Sequence, residues 1–373
     1  MAVLKLGTQT ISPASLKEVQ VPETTWNGCY LKMFAPDTQP QQQYIGGDVP
    51  PNNVDVIIPF SGQLYEYTLS YKFRGTGIKS FDAPNITTCC NYACEKMCQF
   101  CFRLEEFHMD KLTGFSSGNG ALNNCCTGCK RLVTATLNSV ETASSYGASQ
   151  STFSYCSALT TKSVMPKLKT VSGSSALQGF FSYCTSMTEQ EFTSLEEITG
   201  SSAMSTMFRD CTSLTKISFP KLTLISGTNA FNQFCMNCTA LQTVEFPELL
   251  NIGPASGTST SNYGHFSNAF PSGVGGNNLS LSFPKLVKIY NGTTSTSNVD
   301  VFLNCAGIKK LYFKSLSSIT GYNNTAASRM FTGCNNLTEI HFGLVNQAAI
   351  EASAGYTTLW GRGAGNATVY FDL

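Results

Sequence analysis

Sixteen cysteines are the residues in this chain whose type and spacing could most readily do chemistry. Three pairs, Cys98 and Cys101, Cys126 and Cys129, and Cys235 and Cys238, have the two-residue separation of a zinc knuckle, in which paired thiolates build a tetrahedral site. Other chemical candidates are few. The three histidines, His108, His265 and His341, lie far apart in the sequence. There is no His-Glu-x-x-His helix and no phosphate-binding loop. The glycine-rich run at 272–278 has no strand-to-helix frame around it. The expectation is a protein that is not an enzyme and needs no cofactor.

The elements that must position these cysteines change their reading. Aligned with itself, the chain repeats the pattern A-φ-x-x-φ-F-x-x-C-x-x-L-x-x-I-x-F-P-x-L-x-x-I-x-G, where φ is apolar, clearest from Ala203 and again from Ala230. One column holds Cys101, Cys129, Cys156, Cys184, Cys211 and Cys238 at a nearly constant spacing, and resumes at Cys305 and Cys334 after an irregular coil. The first cysteine of each close pair sits where other coils carry Phe153, Phe181, Phe208, Phe302 and Phe331. All the cysteines except Cys29 and Cys90 fall in apolar columns. A buried cysteine commonly behaves as a small hydrophobe. The columns therefore favour buried free thiols, and a structural core role for the eight column cysteines, over a disulfide or a metal site. A chain rich in unpaired thiols suits folding in a reducing compartment.

Each column has a physical job. Leu214, Ile217 and Phe219 fit the L-x-x-L-x-L core of a leucine-rich repeat, and Ile217 and Phe219 alternate with Ser218, so a short strand should point them inward. Pro220 should end the strand, and Gly227 should permit a tight bend. Ala203, Met204, Met207 and Phe208 have helical spacing, which predicts one or two helical turns on the return side. No coil can bury its apolar edge alone, so stacked neighbours must make the core. The expected fold is an α/β-type repeat solenoid of about ten coils, with short helical turns and a parallel sheet roughly 45–50 Å long at a strand spacing of about 4.8 Å. Residues 71–373 should form it, with an irregular coil at about 253–280. Residues 1–70 lack the repeat and contain Pro-rich and Gln-rich stretches, with strand-like runs at 54–60 and 64–73. They should form a small β-rich segment that caps the first coil and adds an anchoring arm.

The F-x-x-C-x-x-L-x-x-I-x-F-P run, from Phe208 to Pro220 and again without the proline from Phe331 to Phe342, resembles the BspA-like leucine-rich-repeat family. The resemblance covers about Ile78 to Val345. That family spans bacterial surface adhesins, protozoan surface proteins and some phage-encoded proteins. The resemblance implies a binding protein with no shared catalytic residues.

Composition narrows the partners. Charged residues make up 13% of the chain and the net charge is +1, so bulk electrostatics offers no case for nucleic acid or an anionic membrane. No apolar run approaches the roughly 18 residues needed to cross a bilayer, so no membrane-spanning helix is expected. The N-terminal stretch lacks a basic run followed by a long apolar one, so no signal peptide is expected. Two functional readings follow. One is a recognition or structural component of a larger particle, such as a phage virion or tail protein made in the host cytoplasm. The alternative is a bacterial cell-surface adhesin whose leader is missing. The partners would be other proteins of an assembly, or a host-surface receptor or glycan, and the N-terminal arm could join copies of the chain. The strand column facing outward should read Asp82, His108, Thr136, Val164, Glu191, Ser218, Glu245, Ser282, Tyr312 and His341. Candidate binding residues gather at its C-terminal end: Lys309, Lys310, Tyr312, Glu339 and His341. A second group, Tyr263, His265 and Phe266, lies in an insertion within the irregular coil, and another insertion follows at 291–300. Insertions in a solenoid tend to emerge as loops on one face.

Overall fold

The computed structural model describes residues 4–6, 9–11, 53, 55–58, 61–115, 119–253, 264–291, 301–321, 330–353 and 367–373. A strand that alternates apolar and polar residues buries one face, and its backbone groups need partners on both edges. Here each coil supplies the edges of the next. The strands Asp55–Ile57, Ser80–Asp82, Glu106–His108 and Thr134–Thr136 pair in parallel and in that order. After a gap, the strands Glu189–Glu191, Lys216–Ser218, Thr243–Glu245, Leu279–Ser282, Ile308–Phe313, Glu339–Phe342 and Thr368–Phe371 continue the same front sheet. The result is a parallel-sheet, leucine-rich-repeat-type solenoid of about ten coils with little helix.

Its cross-section has three hydrogen-bonded sides rather than one. The second side is another parallel sheet. It runs from Thr142–Ala143 through Thr170–Val171, Glu197–Ile198, Leu224–Ile225, Asn251–Ile252 and Lys288–Asn291 to Ser318–Gly321. Gly62–Leu64 and Ile86–Cys89 join it through bridges at Gly114. This is where Leu222 and Ile225 turn the chain back over the core. Gly227 serves this side by its size, not by an unusual torsion. A Cβ there would overlap the carbonyl oxygen of Gly200, and one on Gly200 would overlap that of Gly173.

The third side corrects the expected helical turns. Ala203, Ser205, Met207, Arg209 and Cys211 each donate an N–H to the carbonyl three positions back, making overlapping β-turns. The alternate residues Ser202, Met204, Thr206, Phe208 and Asp210 donate instead to Thr228, Ala230, Asn232, Phe234 and Met236 of the next coil. Every fourth residue is left-handed, with φ of 51°, 55° and 59° at Ser202, Thr206 and Asp210. An α-helix would direct all these N–H groups within its own coil. The turn ladder uses half of them to join coils. Its period of four places Ala203–Met204 and Met207–Phe208 inward, which imitates helical spacing in the sequence.

Like residues stack on like in the core. A file of rings runs through Phe192, Phe219, Phe246, Phe283, Phe313, Phe342 and Phe371, with successive centroids 4.9–5.6 Å apart. The expected boundary at residue 70 moves, because Asp55–Ile57 and Gly62–Leu64 already belong to the two sheets. The residues near 65–76 form the turn ladder of that first coil. Ahead of it, Leu4–Leu6 and Gln9–Ile11 make an antiparallel pair. The rest of the expected arm lies outside the described residues.

The front sheet lapses at one coil, for a readable reason. The step from Cys156 to Cys184 is one longer than that before it, and Thr161, Lys162 and Ser163 stand where an inward apolar residue belongs. The Ala135 N–H donates to Oγ1 of Thr161 at 3.0 Å instead of to a backbone carbonyl, while Glu191 N–H still reaches Lys162 O at 3.0 Å. Gln190 holds the inward position beside this gap. It is 2% exposed, and its Oε1 finds no hydrogen-bond partner. Replacing it removes a buried acceptor whose desolvation is uncompensated. Gln190→Met is therefore expected to raise stability by about 1–2 kcal/mol, seen as a higher urea midpoint at unchanged slope. A lower midpoint would contradict this account.

Candidate functional site

The outward faces of the last three front strands carry the most organised surface cluster. In register, Lys310 lies beside Glu339 and Tyr312 beside His341, and His341 lies beside Tyr370 of the final strand. The rings of Tyr312, His341 and Tyr370 form one stack, with centroids 4.7 and 4.6 Å apart and planes within 17° and 13° of parallel. Acidic side chains flank the stack on both sides. Nδ1 of His341 lies 2.9 Å from Asp372 and Nε2 lies 3.2 Å from Glu339, which also pairs with Lys310 at 2.8 Å. Lys310, and then His341, holds the Glu339 carboxyl below the usual carboxylate range, and Glu339 in turn raises Lys310. The cluster presents a row of ordered rings rimmed by charged side chains.

Lys309 does not join this group. It sits at a shift of register and reaches back to Asn278 Oδ1 at 3.2 Å. Tyr370 and Asp372 do join, although the candidates chosen from sequence omitted them. The signal was available: Tyr370 is the next member of the outward column, in the alternating run Thr368–Phe371.

Farther back, the outward face carries alternating charge. Lys162 pairs with Glu189 at 2.7 Å and Lys216 with Glu245 at 2.8 Å. With Gln190, Glu191 and Ser218 they line an open hollow of about 390 Å³ beside the sheet gap. Such exposed pairs add little to stability. Val164, aligned with the outward column, is buried. His108 hydrogen-bonds Thr136 Oγ1 at 2.7 Å.

The second candidate group is corrected. Phe266 is fully buried, stacked between Phe231 at 5.1 Å and Phe302 at 5.4 Å. His265 is buried too, with Nδ1 2.8 Å from the Gly227 carbonyl. The Phe231 N–H donates to the His265 carbonyl, so the turn ladder has already resumed there and His265 takes the place of the small alanine column. These two residues belong to the core and cannot face a partner. Tyr263 and the insertion at 291–300 lie outside the described residues, apart from Asn291 at the end of its strand.

The cysteine column forms a ladder of its own. Cys101, Cys129, Cys156, Cys184, Cys211, Cys238, Cys305 and Cys334 are buried free thiols. Each S–H donates to a backbone carbonyl of the preceding coil at 2.8–3.2 Å; Cys211 reaches Phe181, for example, and Cys238 reaches Phe208. Burial pushes Cys129 up to about 11 and Cys305 up to about 12, while the neighbouring Cys129 thiol is the main cause that takes Cys101 to about 12. Among the described residues no group of three or more His, Cys, Asp or Glu side chains is placed to hold a metal ion.

Two measurements check these assignments. Iodoacetamide at pH 8 should modify Cys90, which is partly exposed, and spare the eight column cysteines until the protein unfolds. Labelling of the column in folded protein would refute the thiol ladder. His265 gives a pH signature: burial lowers it from 6.5 to about 4, so the unfolded chain takes up its proton first. Stability contributed there is complete above pH 6.5 and is lost as pH falls toward 4, by roughly 3 kcal/mol. Denaturation midpoints of His265→Leu across pH 7 to 4 should lack that part of the decline seen in the native chain.

No known family model matches this chain, and no curated protein matches it. Solved structures similar to it include the following three. A chain of the Toll–Spatzle complex of Drosophila shares 11% identity at a TM-score of 0.26, over 83% of this chain and 46% of that one. The pneumococcal vaccine antigen PcpA shares 12% at 0.26, over 86% and 90%. An internalin from Listeria monocytogenes shares 11% at 0.20, over 74% and 82%. The chain thus spans less than half of the Toll-complex chain.

Proposed function

We propose that this protein is a non-enzymatic binding scaffold that recognises a partner through the C-terminal end of its front sheet. The observation that carries this reading is the Tyr312–His341–Tyr370 stack, held by Glu339, Asp372 and Lys310. A partner meeting rings already fixed in position loses less side-chain entropy on binding than one that must order them. Tyrosines of this kind supply large contact area around a polar edge. The partner is a protein of a larger assembly, or a host-surface receptor or glycan.

The finer reading is a component of a phage virion or tail, used in assembly or host recognition. Its support is the resemblance to the BspA-like repeat together with fifteen free cysteines among the described residues, a chemistry that suits folding in a reducing cytoplasm. Among the described residues no helix is long and apolar enough to cross a membrane. The other reading is a bacterial cell-surface adhesin of the same repeat type.

Mass spectrometry of particles purified from the host that encodes this chain should detect it at stoichiometric level, and added protein should compete with particle adsorption. Competition should fall about ten-fold in a Tyr312→Ala, Tyr370→Ala double variant, the loss of roughly 1.4 kcal/mol. Finding the chain only on the surface of intact cells, by protease shaving, would favour the adhesin. Undiminished competition by the double variant would remove the front-face site.

A further inference from the structure

The left-handed positions of the turn ladder form three columns along the solenoid, and their occupants change from one end to the other. In the later coils they hold Ser202, Thr206 and Asp210, then Asn229, Gln233 and Asn237. In the first coils they hold Tyr67, Tyr71, Tyr92, Lys96 and Phe100, at φ between 50° and 61°. Left-handed torsions cost an L-residue about 1–2 kcal/mol, and aromatic residues gain nothing locally in return. Strain of this kind concentrates where function requires a side chain.

The same rings are unusually open. Phe100 is 51% exposed, Tyr67 43% and Tyr71 41%. They are nevertheless held in place. Tyr67 stacks on Tyr92 at 5.5 Å, and Tyr92 lies where a Cβ on Gly120 would be only 2.6 Å from its Cε1. Phe100 lies against Gly128 in the same manner, and the next two members of its column, Tyr155 and Tyr183, stack at 4.2 Å. Lys96 reaches over Tyr71 to its hydroxyl at 2.9 Å, Arg74 lies 5.7 Å from the Tyr71 ring, and Arg103 lies 5.9 Å from the Phe102 ring.

Charge is concentrated at the same place. Across the turn and corner segments 65–77, 91–103 and 119–131 there are six basic residues, Lys72, Arg74, Lys96, Arg103, Lys130 and Arg131, against two acidic ones, Glu66 and Glu95; Lys96 pairs with Glu95 and Arg131 with Glu105 just outside the segments, each at 3.1 Å. The corresponding segments 146–158 and 174–186 have no charged residue at all. On a chain of net charge +1, this is a local basic and aromatic strip.

We propose that this strip binds an acidic polysaccharide laid along the solenoid axis. The apolar face of a pyranose ring fits an exposed aromatic ring, and guanidinium groups pair with carboxylates through two parallel hydrogen bonds. A polymer that repeats a sugar ring and a carboxylate suits a surface that repeats rings and cations from coil to coil. Single-stranded nucleic acid also stacks on such rings, but its unbroken row of phosphates would meet Glu66 and Glu95. A sugar chain with one acid per two rings can hydrogen-bond to those carboxylates through its hydroxyls. This surface lies on a different side of the solenoid from the front-sheet cluster, so the two readings stand or fall separately.

The test uses the full chain with hyaluronan, which alternates an acidic and a neutral sugar, and with polygalacturonate. Dextran serves as the neutral control and poly(dT) as the nucleic acid control. Binding to an acidic polysaccharide should be measurable, should weaken as salt is raised, and should be absent with dextran. Phe100→Asn should weaken it about ten-fold, roughly 1.4 kcal/mol, without lowering the melting temperature, because asparagine accepts the left-handed torsion. Arg103→Ala should weaken it and flatten the salt dependence, whereas Lys285→Ala, on a distant coil, should not. The proposal is overturned if neither acidic polysaccharide binds, if Phe100→Asn binds as the native chain does, or if poly(dT) binds more tightly.

Discussion

Each coil must join its backbone donors and acceptors to those of the neighbouring coils on three sides at once, and every other feature of the molecule accommodates that requirement. A backbone group buried without a partner costs about as much as a lost hydrogen bond, so a coil that falls out of step on one side is penalised along its length. The three ladders explain why the repeat keeps so constant a length and where it can be interrupted. An insertion is tolerated only if the chain re-enters all three ladders afterwards. The irregular coil does so at His265, whose carbonyl accepts the Phe231 N–H. The single extra residue before Cys184 is absorbed where the Thr161 hydroxyl stands in for a carbonyl, and the front sheet lapses there.

Strict stacking makes each side chain the neighbour of its own counterpart, and the chemistry of each column follows. Phenylalanines form files, glycines allow one carbonyl to approach the next coil closely, and thiols donate to carbonyls of the coil before. Cysteine suits that last position because it is small, apolar and still carries a weak donor. The same neighbourhood that makes the thiols good core residues raises Cys98, Cys101, Cys126 and Cys129 above the usual thiol range, so these two close pairs lack the thiolate character of a reactive cysteine.

The surface features worth recognising are places where a column departs from its usual occupant. On the front sheet the outward column is mixed until it ends in Tyr312, His341 and Tyr370. On the turn side the left-handed positions are small and polar in the later coils, whereas in the first coils they become tyrosine, phenylalanine and lysine. In both places stacking converts single substitutions into rows of rings, which a repeat protein can do without any loop built for the purpose.

Much of this was legible in the residues alone. The Ala, Phe, Cys, Leu, Ile and Phe-Pro columns determined the stacked coils, the inward strand positions and the burial of the cysteines, because a repeat of constant length forces equivalent residues into equivalent environments. The outward column also led to Lys310, Tyr312, Glu339 and His341. Other features required the tertiary structure. The spacing of Ala203, Met204, Met207 and Phe208 fits a helix and a period-four turn ladder equally well, and only the hydrogen bonds to the following coil separate them. His265 and Phe266 follow a polar insertion, and nothing local marks them as the point where the chain rejoins the core. Local sequence carries the pattern within one coil, but the partners that decide its backbone geometry and its exposed faces come from the coils on either side.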